Sequence, residues 1–257
     1  MKSQQSLKTT YEIERAKWNE LAKDEKLGGM LLRDGDNFSK YAHRTSTMVG
    51  VDEFLGDLRG KRVLEYGCGL GEITLLLAKS GAKVNAFDLS EKSVSITRER
   101  VEINDAGKQT QLTVAAGEHL PYASASFDVV FGKAILHHLD VHVGWHDLHR
   151  IIKKGGKAVF VEPMGMNPLI NFARNHLPYP HKNPRGADRP LVYWEIMKWG
   201  QRFSKFHFKE IQLTSMLERA LGFGVRIHAL RRLDGYLLKH FPFLRRYCRY
   251  VVMYMVK

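Results

Sequence analysis

A nine-residue run, Val63-Leu64-Glu65-Tyr66-Gly67-Cys68-Gly69-Leu70-Gly71, limits the fold of this 257-residue chain more than any other stretch. The apolar residues that open it read as a strand, and Ile73 to Ala78 beyond it read as a helix. Between them, glycines at alternate positions permit positive φ and leave no Cβ to hold a ligand away. The first helical turn then presents unsatisfied N–H groups to whatever lies above it. A second strand, Lys83 to Asp88, ends in a carboxylate 21 positions after Gly67. A parallel βαβ unit places an acid there to receive ribose hydroxyls. The pattern predicts a nucleoside-binding crevice.

The spacing also says which nucleoside it is not. A dinucleotide fingerprint needs two residues between its last glycines, and here Leu70 stands alone between Gly69 and Gly71. The strand moreover ends in Glu65, whose charge would repel a pyrophosphate but attract an ammonium or sulfonium centre. Residues Val63 to Thr74 resemble motif I of the class I S-adenosylmethionine (SAM) methyltransferases, written E/D-x-G-x-G-x-G, with Asp88 as the acid of the second strand. The resemblance implies SAM as cofactor, held by Glu65, Gly67, Cys68, Gly69, Gly71, Asp88 and Leu89.

It extends further along the chain. Gly117-Glu118-His119-Leu120-Pro121-Tyr122, followed by Ser126-Phe127-Asp128-Val129-Val130, is similar to the family's D-A-E-x-L-P-F…S-F-D-x-V segment. Arg150 to Gly156 resembles its R-x-L-K-P-G-G turn, so the likeness covers roughly residues 60–162. The family often carries an aspartate for the adenine amine where this chain has Ala116. Glu118, or the backbone at Gly117, is expected to take over that contact.

Strands at 62–65, 83–88, 112–116, 127–131 and 158–162 alternate with helices at 73–78, 91–102 and 142–152. Ser90 is a candidate N-cap for the second of these helices. Such alternation predicts a parallel, doubly wound sheet. With the resemblance it implies a Rossmann-like, seven-stranded, mostly parallel sheet with an antiparallel closing strand. One domain is expected: an N-terminal helical cap (1–59), the SAM-binding core (60–162), an acceptor-binding insertion and helix (163–222) and a closing hairpin (223–257). The two strands of that hairpin are expected at Phe223 to Leu230 and Tyr250 to Val256. In the Pro-rich insertion, Leu169 to His176 can form a short helix, while Tyr179, His181, Arg185, Arg189, Tyr193 and Trp194 offer walls and cations for an acceptor.

Methyl transfer from a sulfonium is an in-line displacement, and holding the reactants in line supplies most of the acceleration. A base is needed only where the acceptor must lose a proton early. The resemblance puts the end of the fourth strand beside the reacting atoms, and that end runs into Leu136-His137-His138-Leu139. His137 or His138 is therefore the candidate base, set against a capping or packing role for either imidazole. His138, His142, His146 and His149 lie four, four and three apart, a spacing compatible with zinc on one helix face. The Leu139-Asp140 junction is expected to interrupt that helix, so no metal is assigned.

Charge divides the chain. Residues 1–150 hold 20 basic and 21 acidic side chains, net −1, whereas residues 151–257 hold 20 basic and 6 acidic, net +14. The basic half suits an anionic acceptor, a phospholipid surface or nucleic acid, or is simply a solvated face. Within it, Tyr236 to Tyr247 mixes apolar and basic residues as a peripheral membrane element does, though a helix packed on the sheet has the same look. Two cysteines without metal spacing, and a polar opening segment, suit a cytoplasmic protein. No oligomeric state follows from these residues.

The expected function is methylation of a small or lipid-like acceptor. An RNA methyltransferase is the alternative that the basic half suggests. Against it, the fourth strand ends in Phe131-Gly132-Lys133-Ala134 and lacks the N/D-P-P-Y/F sequence that grips a flipped base. A third alternative, a non-catalytic interaction protein of the same fold, is disfavoured by the intact Glu65, glycines and Asp88.

Overall fold

The computed structural model describes residues 11–20 apart from 14 and 17, 31–177 apart from 34, 189–219 and 227–257. After a helical segment among residues 11–20, two short helices, α1 (Phe38–Arg44) and α2 (Val51–Leu55), lead to the first strand, β1 (Arg62–Tyr66). Next come α3 (Glu72–Lys79), β2 (Lys83–Asp88), α4 (Glu91–Ile103), β3 (Thr110–Val114) and β4 (Phe127–Lys133). The chain continues through α5 (Val141–Ile151), β5 (Ile152–Pro163), α6 (Pro168–His176) and α7 (Tyr193–Gly200). It ends with β6 (Lys205–Ile211), α8 (His228–His240) and β7 (Tyr250–Val256).

These strands form one sheet in the order β3-β2-β1-β4-β5-β7-β6. The pairs from β3 through β5 are parallel, and β7 runs antiparallel between β5 and β6. This is the expected doubly wound sheet with one reversed strand. Its central strands are almost uniformly apolar because helices cover both faces. Successive side chains still divide by the two-residue period of a strand. Val63, Val129, Phe131, Val159 and Val161 enter the core under α1 to α4. Leu64, Tyr66, Val130, Ala158 and Phe160 enter the core under α5 and α7, against Trp145, Leu148, Ile196 and Trp199. Ser90 does cap α4: its hydroxyl accepts the amide of Ser93 at 3.0 Å.

The strand expected at Phe223 to Leu230 is replaced by a helix where the chain is described. Residues 220–226 lie outside the described residues, and His228 to Leu230 are the first turn of α8. Leu230, Leu233 and Leu237 recur at helical spacing, a period that overrides the local apolar content. The hairpin partner of β7 is instead β6, with Lys205 opposite Val256 and Ile211 opposite Tyr250. Its strict alternation, Lys205-Phe206-His207-Phe208-Lys209, is that of a half-exposed edge strand. It lies inside the span assigned to the acceptor insertion, so the hairpin draws on both expected segments. Two boundaries also move: β3 starts at Thr110, and β5 starts at Ile152 and runs through Gly155-Gly156, where Gly155 adopts φ +76°.

Candidate functional site

The order of strands reverses between β1 and β4, and both carboxyl ends open there into a cavity of about 920 Å³. Ligands bind at such a switch point because the flanking loops diverge to opposite faces. Gly67, Gly69 and Gly71 all adopt positive φ, at 79°, 51° and 81°. A Cβ on Gly67 would lie 2.8 Å from Cδ1 of Ile135, and one on Gly71 2.7 Å from the Thr97 side chain. A Cβ on Gly69 would meet nothing within 4 Å. That open space belongs to the cavity Gly69 lines, and it is room for a ligand to approach the backbone.

Hydrogen bonds weld the loop to the second strand. The Cys68 amide donates to the Phe87 carbonyl at 2.8 Å, and the Gly69 amide to Oδ2 of Asp88 at 2.9 Å. Oδ1 of Asp88 accepts the Ser90 amide at 2.9 Å. Burial pushes this carboxyl above the ordinary aspartate value, while the N–H donors of Ser90 and Gly69 pull it back. Asp88 thus positions the loop besides facing the cavity.

Glu65 is fully enclosed, and its Oε2 accepts the hydroxyl of Thr74. Burial, reinforced by the charges of Asp88 and Glu72, pushes its carboxyl up to about 8, with the Thr74 bond opposing. Glu118 accepts the Asp140 amide at Oε1, 3.1 Å away. Among the described residues its buried Oε2 has no partner meeting hydrogen-bond geometry, although the Tyr11 phenol approaches the Glu118 carboxylate. The phenol is raised in turn, by burial first and then by the charge of Glu118. Gly117 also lines the cavity, and its carbonyl accepts the Tyr66 hydroxyl. Every cofactor-site residue expected from the sequence, Leu89 included, lines this one cavity.

Tyr11, Trp18 and Tyr41 line it as well, from segments whose sequence carried no motif. The Ser90 hydroxyl donates to Oδ1 of Asn19 at 2.6 Å and fastens the N-terminal helical segment to the rim.

The two histidines occupy a 3-10 turn, Leu136–His138, directly after β4. Ala134 enters that turn at φ +56°, strained for a residue with a Cβ. Glu162, wholly buried at the end of β5, holds the turn: its Oε1 accepts the amides of Ile135 and Leu136, each at 2.9 Å. Its Oε2 lies 2.7 Å from Nδ1 of His137. Sequence pattern assigned Glu162 no role. Its only signal was an acid closing an apolar strand, the same signal that marks Glu65 and Asp88. His138 packs ring to ring on His137, centroids 4.0 Å apart.

Past the turn, Asp140 caps α5 by accepting the His142 amide at 2.9 Å. His138 is therefore on a different element from His142, His146 and His149. Among the described residues no group of three metal-capable side chains is gathered.

The acceptor walls differ from expectation. Tyr179, His181 and Arg185 lie outside the described residues. Arg189 pairs with Glu195, Tyr193 donates to Glu210 at 3.0 Å, and Trp194 rests against His142; none of the three lines the cavity. They belong to the α7 side, where the apolar stripe of that helix faces the sheet. The cations that do line the cavity are Lys133, Arg174 and Arg249, with Ile170, Leu177 and Leu217 as apolar neighbours. Lys133 ends β4 and donates to the hydroxyl of Tyr41, a neutral partner, at 3.0 Å.

A sheet of this order, with a carboxylate-rimmed crevice over its first glycine turn, defines the class I methyltransferase fold. Residues 64–160 match the family model described as a methyltransferase domain, and that part of the chain resembles the class I SAM-dependent methyltransferases. The chain is 30% identical over 128 residues to a demethylmenaquinone methyltransferase of Chlorobaculum parvum, covering 47% of this chain and 51% of that protein. It is 34% identical over 112 residues to a ubiquinone biosynthesis O-methyltransferase of Azoarcus sp. (43% and 47%). The chain thus spans about half the length of these curated relatives. Among solved structures, the geranyl diphosphate C-methyltransferase of Streptomyces coelicolor superposes with a TM-score of 0.65 at 14% identity, over 96% of this chain and 97% of that one. Likeness at that identity concerns the fold.

Proposed function

We propose that this protein transfers the methyl group of SAM to a small, lipid-like acceptor bearing an anionic group. The observation that carries the reading is the division of one cavity by charge. Asp88 and Glu118 stand on the β1–β2 side, together with Glu65, whose carboxyl ionises against a cationic ligand, and Lys133, Arg174 and Arg249 stand on the β4–β5–β7 side. When bound, SAM supplies an electrophilic methyl group on a cationic sulfur. The chain's residues fit it: carboxylates for its cationic and hydroxyl groups, the bare backbone at Gly69 and the buried Oε2 of Glu118. The opposite wall offers cations beside aliphatic side chains, which suits an amphiphile with an acidic head. Relatives named for demethylmenaquinone, ubiquinone and geranyl diphosphate agree with a lipid-like acceptor.

Catalysis then rests on alignment across the end of β4. Where the acceptor carries a proton to be lost, His137 is the residue to take it. Oε1 of Glu162 already accepts two amides, so Oε2 accepts the Nδ1–H of His137 and leaves the lone pair on Nε2. Glu162 is a positioning residue here, and His137 the catalytic one.

Methyl-labelled SAM incubated with the protein and either a lipid-soluble extract or total RNA tests this. Label in the organic phase, and specifically in acidic compounds, is the expected result. Label confined to RNA overturns it in favour of the nucleic-acid reading.

A further inference from the structure

We propose that the face formed by α6, α8 and the 3-10 segment Pro242–Tyr247 docks on a bilayer containing anionic lipids, with the cavity mouth turned toward the lipid. Neither α6 nor the 3-10 segment buries a single residue, and α8 buries only Asp234. Asp234 is wholly engaged inward, accepting from the backbone and hydroxyls of Thr214 and Ser215. It thereby fixes which side of α8 faces out.

What faces out is apolar. Leu169 is 79% exposed, Phe172 59%, Tyr236 58% and Phe243 66%. With Leu177, Leu217, Leu233 and Phe241 they make eight of the fifteen large apolar side chains exposed among the described residues. More than half of the large apolar side chains exposed among the described residues therefore belong to α6, α8, the 3-10 segment and the turns beside them, whereas a soluble monomer scatters such side chains. Spacing reinforces the point. Leu169 and Phe172 share one face of α6, and Leu233 and Tyr236 share one face of α8. The Asn167 side chain donates to the Tyr247 carbonyl at 2.7 Å and ties the start of α6 to the end of the 3-10 segment.

Charge selects the occupant. Arg231 is paired with Glu218 at 3.0 Å, but Arg232, Lys239, Arg245 and Arg246 are exposed among the aromatic residues. Basic residues interleaved with exposed Tyr, Phe and Leu suit an anionic interface, where cations meet headgroups and the rings enter the acyl boundary. A nucleic acid would match the cations and leave Leu169 and Phe243 in water. Position supplies the last argument. The inner side of α6 contributes Ile170, Ala173 and Arg174 to the cavity, the turn held by Asp234 contributes Met216, and the half-exposed Leu177 and Leu217 stand at its rim. The exposed face thus continues into the mouth, and an acceptor with an apolar body enters without crossing water. This surface stands independently of which acceptor is methylated.

Co-sedimentation of the full chain with large unilamellar vesicles tests the proposal. Vesicles of phosphatidylcholine with phosphatidylglycerol should pellet the protein, and pure phosphatidylcholine vesicles should retain much less. The double variant R245E/R246E should lower the partition coefficient by about tenfold or more. F243A/L169A should leave a weaker, fully salt-reversible association. Both variants should bind S-adenosylhomocysteine as the wild type does, which shows that they are folded. Equal binding by wild type and both variants, indifference to anionic lipid, or retention on RNA with none on vesicles would overturn the assignment.

Discussion

Replacing Glu162 by glutamine changes a single atom of the carboxylate, and the structure fixes what must follow. The amide oxygen can still accept from Ile135 and Leu136 at the Oε1 position, so the turn after β4 keeps its anchor. The amide nitrogen then occupies the Oε2 position, 2.7 Å from Nδ1 of His137. Two donors cannot face each other, so the imidazole moves its proton to Nε2 and loses the lone pair that would accept a substrate proton. Bonds to the carboxylate become bonds to a neutral amide, at a cost of about 2 kcal/mol. For a chain of this length that lowers Tm by about 4–8 °C and leaves it folded. Turnover should fall much further, by about 10²–10⁴-fold, the usual worth of general-base catalysis. The assay is single-turnover transfer of labelled methyl to the acceptor fraction, with S-adenosylhomocysteine calorimetry to confirm an intact cofactor site. His137→Ala should give a similar loss, and the double variant no more than either alone, because the two residues act as one unit. A Glu162→Gln protein that melts within the stated range and turns over at the wild-type rate would refute the pairing as a catalytic device.

Three further outcomes follow from the cavity. Asp88→Ala removes the acceptor of the Gly69 and Ser90 amides as well as the expected ribose contact, and should weaken S-adenosylhomocysteine binding by about 10–100-fold in calorimetry. Glu65 holds a proton up to about pH 8 in the folded state, whereas the unfolded chain releases it near 4.5. Stability should therefore fall as pH rises across that window, and thermal melts of Glu65→Gln should show a flatter slope. A cationic ligand favours the ionised carboxylate, so SAM affinity should climb toward pH 8 in the wild type, with proton release visible as a buffer-dependent heat. Lys133→Met keeps the aliphatic stem and removes the charge; it should raise the acceptor KM by about tenfold and leave cofactor affinity unchanged, as paired kinetics and calorimetry would register.

Local pattern carried the cofactor half of the site. Glycine spacing, two strand-ending acids and the Gly117-Glu118 turn are contiguous, and each follows a strand whose apolar run is legible by itself. The acceptor half was not readable in the same way. Lys133, Arg174 and Arg249 come from three elements far apart in sequence, and only the pairing of β5 with β7 brings Met164 against Arg249. Arg189, Tyr193 and Trp194 looked equally suitable in the sequence, yet the apolar stripe of α7 turns that helix toward the second core instead. The end of the strand expected at Phe223 to Leu230 is helical for a related reason. A mixed apolar and basic run satisfies either period when short, and the helix of which His228 to Leu230 are the start wins through Asp234 and the leucines beyond it.

The sequence by itself determined the alternation of strands and helices through β5 and the nucleoside crevice, because each depends on residues within a few turns of one another; the reversed final strand came from the family resemblance, and its partner β6 from the tertiary structure. Tertiary structure alone decided that Glu162 reaches His137, that cations face carboxylates across one cavity, and that the exposed apolar side chains gather around its mouth. Those relations depend on which segments lie side by side, and strand pairing across the switch point sets that. No local period encodes it.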